Sequence, residues 1–228
     1  MKDGRRREVR GVIFDLDGTL VDSLFFWDYQ YKRIGEIYLG DPAFRPSREV
    51  EAAVRTMLLP GASRAIRLDG GIACTDEEFF RFMNESLTEF YRTVVTVKPG
   101  ALSLLRGLRA HGLRVAVASA TEGGLLRVAL GHLGLLDCFD AITSCADVGV
   151  GKERPDVYLL AAEALGCTPA EAAVVEDSCL ALETAAAAGF YAVGVYDKYN
   201  LDEARLRAAA DLYLPAGSSL DELLPHFT

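Results

Sequence analysis

From about residue 100 onward, short apolar runs alternate with helix-like segments, and that rhythm leaves few folds open. The runs "LRVAVAS", "AITS", "AAVVE" and "YAVGV" have strand length. The segments "ALSLLRGLRAHG", "GLLRVALGHLG", "DVYLLAAEALG" and "LALETAAAAG" carry apolar residues at helical spacing and stop at Gly112, Gly134, Gly166 and Gly189. Glycine commonly ends a helix because it adopts the left-handed conformation without steric cost. A further short strand is expected from about Glu8 to Phe14, and "DLYLP" near Asp211 is expected to add an edge strand. Strands and helices alternating at these lengths predict an α/β fold: a parallel sheet, helices on both faces, right-handed crossovers.

Residues from about Leu24 to Val97 break the rhythm. They hold helix-like pieces, "FFWDYQYKRIGEIYL", "SREVEAAVRTML" and "TDEEFFRFMNESLTEFYRTV", without a convincing buried strand. A helical unit inserted after the first strand is the expectation, with the core at 1–21 and 98–228 and the insert at 22–97. Asp22, with Ser23 as its close rival, is expected to cap the insert's first helix. Pro99-Gly100 marks the return to the core and is a candidate hinge. Phe25, Phe26, Trp27, Tyr29 and Tyr31 form an aromatic stripe that either packs as core or lines a substrate pocket.

Composition narrows the partners. Half of the 228 residues are hydrophobic and a quarter charged, as in an ordinary globular protein. The formal net charge of −9 repels phosphate backbones, so nucleic acid is not expected as a partner. Lys2, Arg5, Arg6, Arg7 and Arg10 form the only basic cluster, expected to be a solvated, frayed terminus. A signal-peptide reading of it fails because the apolar "GVIF" is stopped at once by Asp15 and Asp17. No segment reaches the roughly 18 apolar residues needed to span a bilayer, so no membrane role is expected. Cys74, Cys138, Cys145, Cys167 and Cys179 are scattered without a Cys-x-x-Cys pair, and His111, His132 and His226 lack metal-ligand spacing. Small buried thiols in a reducing cytosol are the expectation, hence a cytoplasmic protein. Asn84-Glu85-Ser86 matches a glycosylation acceptor only by chance in that setting.

In a parallel α/β sheet, ligands bind beyond the carboxyl ends of the strands. There the first strand ends in Asp15 and Asp17, the next core strand in Ser119, and "VVEDS" in Glu176 and Asp177, while Lys152 lies in "GVGKERPD". Carboxylates at the end of a buried strand are costly without a cation or proton to match them. This set offers oxygens for a hard cation, an ammonium as a point charge and a hydroxyl near a helix start. It has the makings of a phosphoryl site. A P-loop is excluded, since "GVGKE" lacks the earlier Gly and the following Ser or Thr.

Together these residues resemble the haloacid dehalogenase superfamily of aspartate-nucleophile phosphotransferases. "DLDGTLVDS", "VAVASAT", "GKERPDVY" and "VVEDS" are similar to its four motifs, in order, and the insert resembles the helical cap of its phosphoglycolate phosphatase and β-phosphoglucomutase branch. The resemblance implies a Rossmann-like core with a mobile helical cap and a magnesium-dependent phosphatase. It implies Asp15 as nucleophile and Asp17 as general acid and base. It further implies magnesium held by Asp15, the carbonyl of Asp17 and Asp177, and a phosphoryl group held by Ser119, Ala120 and Lys152. Glu176 stays open between metal ligand and hydrogen-bond acceptor.

The departures concern the insert and the third motif. The mutase's cap histidine corresponds to Trp27, its cap lysine to a position near Met83, while "GASR" keeps Arg64 as a candidate substrate contact. Glu153 and Arg154 separate Lys152 from Pro155, where the family usually has Lys-Pro. The two cap losses favour a hydrolase, and the expected partner is a small phosphorylated metabolite, with the protein a monomer or homodimer. A phosphomutase and a non-catalytic binding protein on the same fold are the alternatives.

Overall fold

Every residue of the strand β1 (Gly11–Phe14) is buried, because a strand flanked on both sides and covered on both faces meets no water. The computed structural model describes residues 8–54, 57, 59–200 and 202–228; the basic run from Lys2 to Arg7 lies outside the described residues. After β1 come the two-residue strand β2 (Val21–Asp22) and the helices α1 (Phe26–Ile34), α2 (Arg48–Val54), α3 (Leu59–Asp69) and α4 (Asp76–Thr93). The chain continues through β3 (Thr96–Val97), α5 (Ala101–Ala110), β4 (Arg114–Ser119), α6 (Gly123–His132), β5 (Ala141–Ser144), α7 (Cys145–Val148) and α8 (Asp156–Ala164). It ends with β6 (Ala172–Glu176), α9 (Cys179–Ala187), β7 (Tyr191–Val195), α10 (Glu203–Ala209) and β8 (Leu212–Leu214).

Two compact units result. One takes the chain up to Ser23 and again from Val95, and the other is Leu24–Val94.

In the first unit, six strands form a sheet in the order β5-β4-β1-β6-β7-β8, each pair parallel. The expected edge strand is β8. Phe14 pairs with Val117 on one side and Val175 on the other, so Asp15 leaves the sheet level with the ends of both neighbours. From β1 the chain passes to β4 and β5 on one side and then crosses to β6 on the other, which makes this strand end the switch point where α/β sheets open a crevice. Ile13, Val174, Tyr158, Ala161 and Phe190 belong to one buried cluster. Each fully buried large apolar side chain contributes about 1.5–3 kcal/mol. The glycines expected to end α5, α6, α8 and α9 all have positive φ, between 66° and 95°. Pro99-Gly100 is tied to the C-terminal turn: Leu220 N donates to the Pro99 carbonyl at 2.9 Å, and a Cβ on Gly100 would lie 2.3 Å from Ser219 Oγ.

The second unit is helical throughout its described elements. The predicted helix over Phe25–Leu39 is an α-helix only to Ile34, after which Gly35–Leu39 widens into a π-helical turn. The cause is local: Asp41 N donates to the Gly35 carbonyl at 3.0 Å, and a Cβ at Gly35 would stand 1.9 Å from the Asp41 carbonyl oxygen. α3 falls in a stretch to which the sequence pattern assigns no element; its Pro60 lies in the first helical turn, where the missing N–H is not needed. α4 starts in a capping box, Thr75 and Glu78 each bonding the other's backbone.

One expectation is corrected here. α1 begins after Phe25 with no side-chain cap, so neither Asp22 nor Ser23 caps it. Asp22 pairs with Thr96 in the antiparallel β2–β3 ribbon, and the Ser23 hydroxyl donates instead to Asp17 Oδ1 at 2.7 Å.

In the aromatic stripe Tyr31 is fully buried, and Phe25, Phe26, Trp27 and Tyr29 are half-buried against the core of the second unit. Phe25, Phe26 and Tyr29 lie 5.1–5.3 Å from the ring of the fully buried Phe90, and Trp27 stacks on Tyr31 at 6.0 Å. Met83 is buried too, its sulfur accepting from Gln30 Nε2 at 2.9 Å, while Ser86 Oγ donates to Gln30 Oε1 at 2.6 Å. Phe90→Ala is expected to lower the unfolding free energy by about 3–5 kcal/mol, since it empties the point on which three rings converge. Urea titration followed by circular dichroism measures this, and a loss below about 1 kcal/mol would return the stripe to a pocket-lining role.

Candidate active site

Four titratable groups meet beyond the carboxyl ends of β1 and β6. Asp15 is 5% exposed, Glu176 1% and Asp177 5%, and the Lys152 ammonium, from the loop between α7 and α8, bridges Asp15 Oδ1 and Glu176 Oε1. Glu176 is fully engaged: Tyr158 Oη donates to Oε1 at 2.7 Å, and Ser178 N donates to Oε2 at 3.2 Å. Lys152 also lies 5.5 Å from the Tyr158 ring centroid, where a cation gains from the ring's negative face. Glu153 and Arg154 do not disturb this arrangement. Glu153 accepts from Gly151 N at 3.1 Å and Arg154 pairs with Asp156 at 3.1 Å, leaving Lys152 to the acids.

Asp17 sits two residues further along a tight turn. Thr19, Leu20 and Val21 all donate backbone N–H groups to the Leu16 carbonyl, and Gly18 takes φ +85°, a conformation that side-chain-bearing residues rarely adopt. The turn aims Thr19 Oγ1 at Asp177 Oδ1, 3.0 Å away. Ser23 Oγ donates to Asp17 Oδ1 at 2.7 Å and Thr121 Oγ1 to Oδ2 at 2.8 Å. Thr121 in turn donates its backbone N–H to Ser119 Oγ at 3.0 Å, which joins the end of β4 to the same cluster.

Charge is out of balance in the buried set, with three carboxylates against one ammonium. Burial, and then the charge of Glu176, push the Asp15 carboxyl well above its usual range, and Lys152 offsets only part of that. The same two causes push Asp177 up to about 8. Burial disfavours the Lys152 ammonium, yet Asp15 and Glu176 outweigh it and hold its pKa well above the ordinary lysine value. Tyr158, buried beside Glu176, is likewise held protonated and so remains a donor.

A divalent cation fits this excess. Asp15, Glu176 and Asp177 bring one carboxylate oxygen each within 4.8 Å of one another. Thr19 and Lys152 bond Oδ1 of Asp177 and of Asp15, which leaves the second oxygen of each for an ion. An all-oxygen donor set of this kind suits magnesium.

The structure thus joins Asp15 and Glu176 through Lys152, brings a carboxylate oxygen of Asp177 within 4.8 Å of theirs, and links Asp17 with Ser119 through Thr121. Ala120 is an exposed residue between Ser119 and Thr121. Arg64 lies on α3 in the other unit, its side chain 68% exposed and 3.4 Å from Asp76. Sequence reasoning missed Thr19, Thr121 and Tyr158. All three stand inside the quoted motifs, Tyr158 as the last residue of "GKERPDVY", but Tyr158 reads only as an apolar position of α8 until the strand and helix are docked.

The comparisons with known proteins agree with this geometry. The family model for haloacid dehalogenase-like hydrolases matches residues 9–189. A phosphorylated carbohydrates phosphatase of Thermotoga maritima is 28% identical over 89% of this chain and 92% of its own. A beta-phosphoglucomutase of Bacillus subtilis is 27% identical over 82% of this chain and 83% of its own. The solved structure of a HAD family hydrolase from Deinococcus radiodurans R1, with bound phosphate and sodium, superposes with a TM-score of 0.70 at 26% identity, covering 92% of each chain. With the family model spanning most of its length and the buried acids at the switch point of its sheet, the chain belongs to the haloacid dehalogenase-like hydrolases.

Proposed function

We propose that the protein is a magnesium-dependent phosphatase that hydrolyses small phosphate monoesters through an aspartyl phosphate on Asp15. The observation that carries this reading is the buried Asp15 at the end of the central strand, joined to Lys152 and within reach of Asp177. Magnesium, held by Asp15 and Asp177, would supply positive charge to offset the phosphoryl oxygens and the carboxylates around them. The other steps belong to the chain's own residues.

An Asp15 carboxylate oxygen attacks phosphorus in line, and the bond from phosphorus to the leaving oxygen breaks. Asp17 gives its proton to that oxygen, then takes one from the water that attacks the aspartyl phosphate, releasing inorganic phosphate and restoring Asp15. Ser23 and Thr121 hold Asp17 by both oxygens, which fixes its direction before substrate arrives. Lys152, Ser119 and the backbone at Ala120 hold the phosphoryl oxygens and stabilise charge developing on them. Glu176 acts as the acceptor that positions Lys152, since both its oxygens are already bonded.

Phosphorylated sugars are the first substrate class to test, as the Thermotoga relative is a phosphorylated carbohydrates phosphatase. Arg64 is proposed as a substrate contact, testable by Arg64→Ala on the same panel. The phosphatase reading is preferred over a mutase because Trp27 and Met83 are absorbed in the packing of their own unit. The free cysteines and the net charge of −9 fit a cytosolic enzyme acting on small metabolites.

Phosphate release from an aryl phosphate and a panel of sugar phosphates is expected with magnesium and to vanish with chelator. Asp15→Asn should abolish it, and Asp17→Asn should lower kcat by about 10²–10⁴-fold. Folded Asp15→Asn that still turns over would sink the nucleophile assignment, and isomerised sugar phosphate without released phosphate would establish a mutase. Lys152→Met is expected to cost about 10²–10³-fold in kcat, read by the same assay. A change confined to KM would instead make Lys152 a ground-state binding group.

A further inference from the structure

Outside the groups assigned to chemistry, one loop touches both sides of the acid cluster. Lys98 follows β3, and its backbone N–H donates to the Leu20 carbonyl at 2.9 Å. Its ammonium donates to the carbonyl of Gly18, the residue after Asp17, and to Asp197 Oδ2 at 2.7 Å. Both partners are largely buried, the side chain of Lys98 16% exposed and that of Asp197 4%. The Asp197 carboxylate also accepts from Tyr199 N at 2.9 Å, and its carbonyl accepts from Asn200 N at 3.1 Å, a turn that presents Asn200. Asn200 Nδ2 then donates to the main-chain carbonyl of Asp177.

The loop after β7 therefore grips the Asp17–Gly18 turn with one end, through Lys98, and Asp177 with the other. A cation held between two strand ends depends on their spacing, and groups that orient metal ligands without touching the metal set its affinity. We infer that Lys98, Asp197 and Asn200 form a brace that fixes the distance between the Asp15–Asp17 turn and Asp177, and so sets the affinity of the site for its divalent cation. The inference rests on the proposal that Asp15 and Asp177 hold magnesium. These three are positioning residues: none needs to touch ion or substrate.

The experiment compares the full-length wild type with Asn200→Ala and with the double variant Lys98→Met/Asp197→Asn. The double change removes both charges together, so neither is left buried and unpaired, and asparagine keeps an acceptor for Tyr199 N. Asn200→Ala removes the bond to the Asp177 carbonyl, together with the acceptor for Cys179 Sγ at 3.5 Å and Asp202 N at 3.3 Å, and leaves the Lys98–Asp197 pair in place, so it tests the brace even where the double variant folds poorly. Two readouts are taken against magnesium concentration: the rise in Tm, which needs no turnover, and aryl phosphate hydrolysis. The half-saturating magnesium concentration is expected to rise about 10-fold or more in both, with lost turnover recovered at high magnesium. A lower Tm in chelator with unchanged half-saturation would make these residues a structural staple and overturn the inference. A wild type whose Tm and activity ignore magnesium would overturn the metal reading and the brace together, whereas a magnesium-dependent Tm without any hydrolysis would count against the phosphatase reading alone.

Discussion

The structure depends on a buried excess of negative charge at the end of its central strand. Taking Asp15, Glu176 and Asp177 out of water is unfavourable by several kcal/mol per ion unless each is matched. Lys152 matches part of it, and the hydroxyls of Thr19 and Tyr158 and the N–H of Ser178 satisfy further oxygens. What remains is negative charge that a cation would relieve. The acids raised in pKa are also those whose second oxygens are left over, so electrostatics and hydrogen bonding select the same two residues.

This concentration of charge is possible because the sheet is parallel and crossed at its centre. With β1 between β4 and β6, three strands deliver Asp15, Ser119 and Glu176-Asp177 at the same edge. A one-residue slip would turn every side chain on a strand to the opposite face and carry Asp15 away from Lys152, so the site depends on the register. The strands supply position, and the loops beyond them supply orientation: Gly18 with its positive φ, and the turn after β7 that reaches Asp177.

Much of this was legible in the sequence. The six main strands, the glycines that end their helices and the three polar strand ends were readable because periodicity and local conformational preference are properties of short segments. Other features were hidden because they depend on contacts far apart in the chain. Asp22 and Ser23 look like helix caps by type, but Ser23 finds the Asp17 carboxylate closer to hand, and α1 starts without a side-chain cap. Gly35 looks like an ordinary interior glycine until the Asp41 carbonyl is seen where its Cβ would stand. Lys98 and Asp197 are 99 residues apart, and nothing local marks either as a partner of the other.

The ribbon of β2 and β3 has a consequence for how such a protein changes over time. Val21 pairs with Val97 and Asp22 with Thr96, so the chain leaves the sheet-bearing unit and rejoins it along two adjacent strands, roughly 5 Å apart. To that unit, the whole of Leu24–Val94 is joined as a hairpin loop would be. Its length and internal packing impose no closure strain on the sheet, and any folded segment with neighbouring ends could stand in its place. Exchange of that segment thus requires no new connection in the sheet-bearing unit, since the two ends that enter and leave it already lie side by side.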